Sequence, residues 1–203
     1  MTPSKDDVRQ VLGEYHSRIR GVVERAWNEW RLIAAFMVDQ RIGPVLYSRT
    51  IANFVFDAIA RNAVAEFGPD DSVHVKIEAQ TVKFIFKGAV LARFKKGDEN
   101  KLGQNIPTQA AMAFVDAEGI FPGLPPETAR VEFVWLPNEI HTKLDDVLVV
   151  ARDNDRRLWQ YAIAAEGGAG EVTAIPSHPP APDGDDDGLV RPKVPDEQDA
   201  ENE

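Results

Sequence analysis

Residues 73–96 read VHVKIEAQTVKFIFKGAVLARFKK, and this stretch decides the fold. Val73, Val75 and Ile77 alternate with His74, Lys76 and Glu78, while Val82, Phe84 and Phe86 are opposed by Lys83 and Lys87. A period of two puts successive side chains on opposite faces of a strand. Lys87-Gly88 is a turn signal, and the run Ala89 to Lys95 supplies a third strand. The stretch predicts a three-stranded antiparallel meander with one apolar and one partly basic face.

Upstream the period lengthens. Ser4, followed three residues later by Asp7, predicts a helix N-cap with an acid in the first turn. Apolar residues then recur in steps of three and four from Val8 and Leu12 through Trp30 to Met37, until Gly43-Pro44 stops the pattern. One helix over 5–41 would be about 50 Å long. It should therefore bend or break near Gly21, or offer its stripe to a partner. A second helix is predicted over 48–67, with Ser48 as N-cap, Gly68-Pro69 as stop, and Ile51, Phe54, Val55, Ala58, Ile59 and Val64 on its buried side.

Downstream, Lys96 to Asn105 is polar and contains glycine, hence a loop. Pro107 opens a short helix reaching Phe114 or Val115, and Phe121 to Pro126 is a rigid connector. Arg130–Leu136, Asp145–Arg152 and Arg157–Ala164 read as three further antiparallel strands, the last two joined by Asp153-Asn154-Asp155. Trp159, Tyr161 and Ile163 share one face of the last. The expected fold class is α+β, a single domain over 1–165 with its strands and short helix in 73–164. Residues 166–203, rich in proline, glycine and acids, are expected to be a disordered tail.

The tail carries the charge. Residues 166–203 hold eleven acids against Arg191 and Lys193, a balance of -9 within a chain total of -10. The other 165 residues hold 22 acids and 21 bases. A neutral body lacks the positive surplus of a dedicated nucleic-acid binder. With no cysteine, disulfides and thiolate metal sites are excluded. Neither a signal peptide nor a membrane span is legible, so a cytoplasmic protein without membrane contact is the expectation.

Catalytic signatures are missing. His16, His74, His141 and His178 stand singly, Gly167 to Gly170 follow no strand-to-helix junction, and Asp185-Asp186-Asp187 lack calcium-loop spacing. Neither metal nor cofactor is expected. The residues that stand out are cationic. Between Lys76 and Lys101 lie seven bases and three acids, with Lys83 and Lys87, and Arg93 and Lys95, each expected to project on one side. Lys96, Asn105 and Thr108 stand near the start of the short helix, where backbone N–H groups can hold an anion. Lys83, Lys87, Arg93, Lys95, Lys96, Asn105 and Thr108 are therefore the candidate anion- or partner-binding residues. The plainer alternatives are charges that keep a sheet face solvated, and Asn105 or Thr108 acting as helix caps.

From Tyr47 to Leu136 the order helix, three strands, helix, strand resembles that of the PD-(D/E)XK nuclease core. The resemblance implies a metal-binding acid at the second strand and an acid-x-lysine pair on the third. Thr81 to Lys87 contains no acid, and Ala89 to Lys95 offers Arg93 and Lys95 without one. The expectation is thus a non-catalytic interaction or regulatory protein. It would bind a macromolecular partner through its long helix (a protein, or a second copy of itself) and through its basic sheet face, with nucleic acid as the weaker choice and the acidic tail modulating access. Small bacterial proteins of toxin–antitoxin, phage or defence modules are similar in profile. The alternative is a nucleic-acid-processing enzyme with an atypical site around Glu66, Glu78, Lys83, Arg93 and Lys95.

Overall fold

The fold is described from a computed structural model, over residues 4–45, 47–105, 108–116, 125 and 127–165. The tail over 166–203, Pro107 and most of the connector over 121–126 lie outside the described residues.

Helix α1 (Lys5–Leu12) begins as the sequence predicts, with the Ser4 hydroxyl accepting from the Asp7 N–H at 3.1 Å. The single helix expected over 5–41 does not form. A 3₁₀ turn at Gly13–Tyr15 separates α1 from α2 (His16–Asp39), so the break falls at Gly13 rather than Gly21. The cause is local. Glycine is a weak helix former, and Tyr15 two residues on is pinned, its hydroxyl 2.7 Å from Ser72 Oγ and its ring 5.0 Å from that of Phe86. Val8, Leu12, Tyr15, Ile19 and Val23 all stay buried across the break. In α2 the last buried side chain is Trp30, and beyond it Leu32 and Phe36 are 72% and 60% exposed.

Helix α3 (Ser48–Phe67) has the predicted bounds, but Ser48 is its first turn and Tyr47 its cap, with no side-chain hydrogen bond there. Ala63 and Phe67 are buried where Val64 was expected. At its end the Gly68 N–H donates to the Val64 carbonyl, and a Cβ on Gly68 would lie 2.6 Å from that oxygen, so only glycine fits.

Strands β1 (Val73–Glu78), β2 (Thr81–Phe86), β3 (Val90–Lys96), β4 (Ala129–Pro137), β5 (Leu144–Asp153) and β6 (Arg156–Ala162) form one six-stranded sheet in sequence order. Lys87 (φ 49°) and Gly88 (φ 68°) are the central residues of the three-residue β2–β3 connection, closed by the Ala89 N–H donating to the Phe86 carbonyl at 2.9 Å. Every pairing is antiparallel except β3 with β4, which runs parallel from Val90↔Ala129 to Lys96↔Trp135. The two predicted antiparallel triplets thus meet along one parallel seam. The chain between them contains α4 (Gln109–Val115) and is long enough for the crossover a parallel neighbour requires.

Helices α1, α2 and α3 pack on one sheet face over Phe84, Phe86, Phe94, Phe133 and Trp135. On the other face Phe114 and Val115 of α4 meet Leu91, and Leu102 meets Val134 and Val150. Tyr161 and Ile163 are buried as expected, and Trp159 is half-buried. Among the described residues no helix is long and apolar enough to cross a membrane.

Candidate anion-binding cleft

The sheet opens at one place. Strand β2 pairs with β3 only from Lys83↔Arg93 to Phe86↔Val90, although the β1–β2 hairpin continues to Glu78↔Thr81. Phe94, Lys95 and Lys96 go on alone, paired with β4. A cleft of about 880 Å³ lies at this opening. Its walls are the first turns of α3 (Arg49, Asn53, Phe56), the β1–β2 hairpin, the end of β3, and Asn105 with the start of α4. Trp135 also lines it.

Five bases line the cleft, Arg49, Lys83, Arg93, Lys95 and Lys96, with Glu78 as the one acid among the described lining residues. Two of the five are matched by carboxylates. Lys83, 4% exposed, lies 2.7 Å from Glu78, whose carboxyl is held below its usual range chiefly by that hydrogen bond. Arg93, 3% exposed, donates from Nε and Nη2 to Glu132 Oε1 at 3.1 and 2.7 Å, and stacks over the Phe114 ring at 3.9 Å. Glu132 is 1% exposed and also accepts from the Gly103 N–H at 3.2 Å, Asn105 Nδ2 at 3.3 Å and Arg152 Nη1 at 3.4 Å. Such a buried carboxylate is tenable only because every direction around it holds a donor.

The other three cations are not matched. Lys95 makes no hydrogen bond or ion pair among the described residues, and burial, then the Arg93 charge, lowers its pKa. Lys96 donates to His141 Nε2 at 3.0 Å, and burial lowers its pKa as well. His141 is shifted down by its own burial and then by Lys96, which suits a neutral acceptor. Arg49 lies over the Tyr47 ring at 5.1 Å.

Unpaired buried polar atoms lie nearby. Four buried side-chain polar atoms lack a hydrogen-bond partner among the described residues, and two of them, Thr81 Oγ1 and Trp135 Nε1, belong to the cleft lining. A buried polar atom left unpaired costs about 1–3 kcal/mol, so these two lower the stability of the fold beside the cleft.

Of the sequence candidates, Lys83, Arg93, Lys95, Lys96, Asn105 and Thr108 come together at this cleft. Lys87 does not. Its positive φ takes it out of the strand alternation, and it pairs instead with Glu14. The basic sheet face expected to meet a partner, and its plainer alternative of solvated charges, are both revised at two positions: Lys83 and Arg93 are buried and paired with carboxylates. Thr108 Oγ1 accepts from the Ala111 N–H at 3.1 Å, and Asn105 joins the Arg93–Glu132 cluster, so both act structurally. Glu66 binds Arg18 and Arg25. It stands ten residues along α3 from Phe56, about 15 Å away, so the carboxylates of the alternative site do not converge. No group of three His, Cys, Asp or Glu side chains among the described residues is placed to hold a metal.

Arg49, Phe56, Trp135, Glu132 and Arg152 were not singled out by sequence reasoning. Only Glu132 left a signal there, as a lone acid within the apolar run VEFVWL of a strand covered on both faces. Comparison with known protein families, curated proteins and solved structures finds no match.

Proposed function

We propose that this chain is a non-catalytic, cytoplasmic binding protein whose cleft takes an anionic, phosphate-bearing segment of a macromolecular partner. The observation that carries the reading is the convergence of Arg49, Lys95 and Lys96, none held in an ion pair among the described residues, on one cleft. Lys95 and Lys96 are half-buried without carboxylates, which is costly to a fold, and an incoming anion offsets that cost, with Arg49 exposed at the rim. The exposed apolar end of α2, around Leu32 and Phe36, offers a second surface to a partner protein.

The test is calorimetric titration of the full chain with inorganic polyphosphate. Saturable binding is expected, weakening steeply between about 50 and about 200 mM salt. Lys95→Gln and Lys96→Gln should each cost about tenfold in affinity. No saturable binding, or binding indifferent to both substitutions, would end the reading.

A second reading, an atypical nuclease, is favoured by Arg93-Phe94-Lys95 standing on the third strand beside Glu78. It requires strand cleavage with added magnesium or manganese that Lys95→Gln abolishes.

A further inference from the structure

The cleft holds more than charge. Arg49, Ala52, Asn53 and Phe56 are spaced three, four and seven apart, one face of α3, and all four line it. Phe56 is half-buried, makes no ring contact among the described residues, and is not packed against the main core. Phe54, Phe67, Phe84, Phe86, Phe94 and Phe133 all do have ring partners. A half-buried aromatic ring without a ring partner in a concave, cationic site is a stacking platform for a flat ligand.

Carboxamides accompany it. Asn53, Gln80 and Gln104 line the cleft, and none of their side chains makes a hydrogen bond among the described residues. Each offers both donor and acceptor, the chemistry that reads the edge of a base.

Resting on the reading above, we infer that the cleft takes single-stranded nucleic acid, with one unpaired base stacked on Phe56 and its flanking phosphates on Lys95, Lys96 and Arg49. The cations are recessed: Lys95 and Lys96 are half-buried at a re-entrant opening of the sheet. The phosphates of a rigid duplex lie on the outside of a rod and reach side chains that protrude. A single strand can enter a cleft of this size and present base and phosphate together.

The test is fluorescence anisotropy of the full chain with three probes: a labelled single strand of about a dozen nucleotides, as DNA and as RNA, the matching duplex, and labelled inorganic polyphosphate. The single strand, in at least one of its two forms, is expected to bind about tenfold tighter than the duplex. Phe56→Leu should weaken single-strand binding about tenfold, the loss of one stacked base, while leaving polyphosphate affinity and the salt slope unchanged. Retained polyphosphate binding also shows that this variant is folded. Lys95→Gln should weaken both probes and flatten the slope. Equal binding of duplex and single strand, or a Phe56→Leu protein with parental single-strand affinity, overturns the inference. Polyphosphate binding without oligonucleotide binding overturns it too, yet leaves the broader reading standing. If none of the probes binds, both fall.

Discussion

Arg93 and Lys95 stand two apart on one face of β3, yet only Arg93 has a carboxylate within hydrogen-bond reach. Lys95 should therefore lower the stability of the free protein. Burial sets its folded-state pKa below the ordinary 10.5. A group so shifted contributes stability that is present above its unfolded-state pKa and is lost as pH falls through the folded one. Lys95→Met is accordingly expected to melt higher than the parent near neutral pH. The difference should shrink as pH is raised toward 10.5, because the parent regains what its buried ammonium costs. Thermal melts of both proteins across that range check it, and parallel pH profiles would contradict it. The cations were legible in sequence because basic residues in a strand stand out. The division between spent and unspent ones was not. Arg93 finds Glu132 only through the parallel register of β3 with β4, 39 residues away in the chain. Arg49 and Phe56 join the cleft only because α3 folds back over it.

At the level of elements, periodicity predicted well wherever it was strong. The bounds of α3 and the strands of the first hairpin follow from glycine-proline stops and strict alternation. The break at Gly13–Tyr15 escaped because three residues of 3₁₀ turn advance the helical phase by only a fraction of a turn, so the apolar stripe runs through it. Burial then separates side chains that look alike in sequence. Phe84 is fully buried, with its ring 5.7 Å from those of both Phe67 and Phe94, and Phe84→Ala should cost about 3–5 kcal/mol. Phe36 lies on the part of α2 beyond Trp30, and Phe36→Ser should change stability by less than about 0.5 kcal/mol. Urea denaturation of the two variants checks both figures. A large loss at Phe36 would mean that this end of α2 is already covered, as in a self-associated protein.

Across the whole molecule, the sheet is two antiparallel triplets that touch along β3 and β4 alone. Fragments 1–116 and 127–203 each keep one triplet intact. They are expected to recombine on mixing into a one-to-one complex with the parent's near-ultraviolet circular dichroism, and mixed fragments that stay unstructured would contradict that. The seam also has a consequence for synthesis. A chain made from its N-terminus completes β1 to β3 and must emit more than thirty further residues before Trp135 can meet Lys96. Until then β3 is an open edge, the kind that recruits the same strand from neighbouring nascent chains. Arg93, Lys95 and Lys96 stand on that strand, and like charges repel when two copies approach. The cations that line the finished cleft would thus first serve as chaperones of their own edge, keeping it single on the ribosome until its true neighbour arrives.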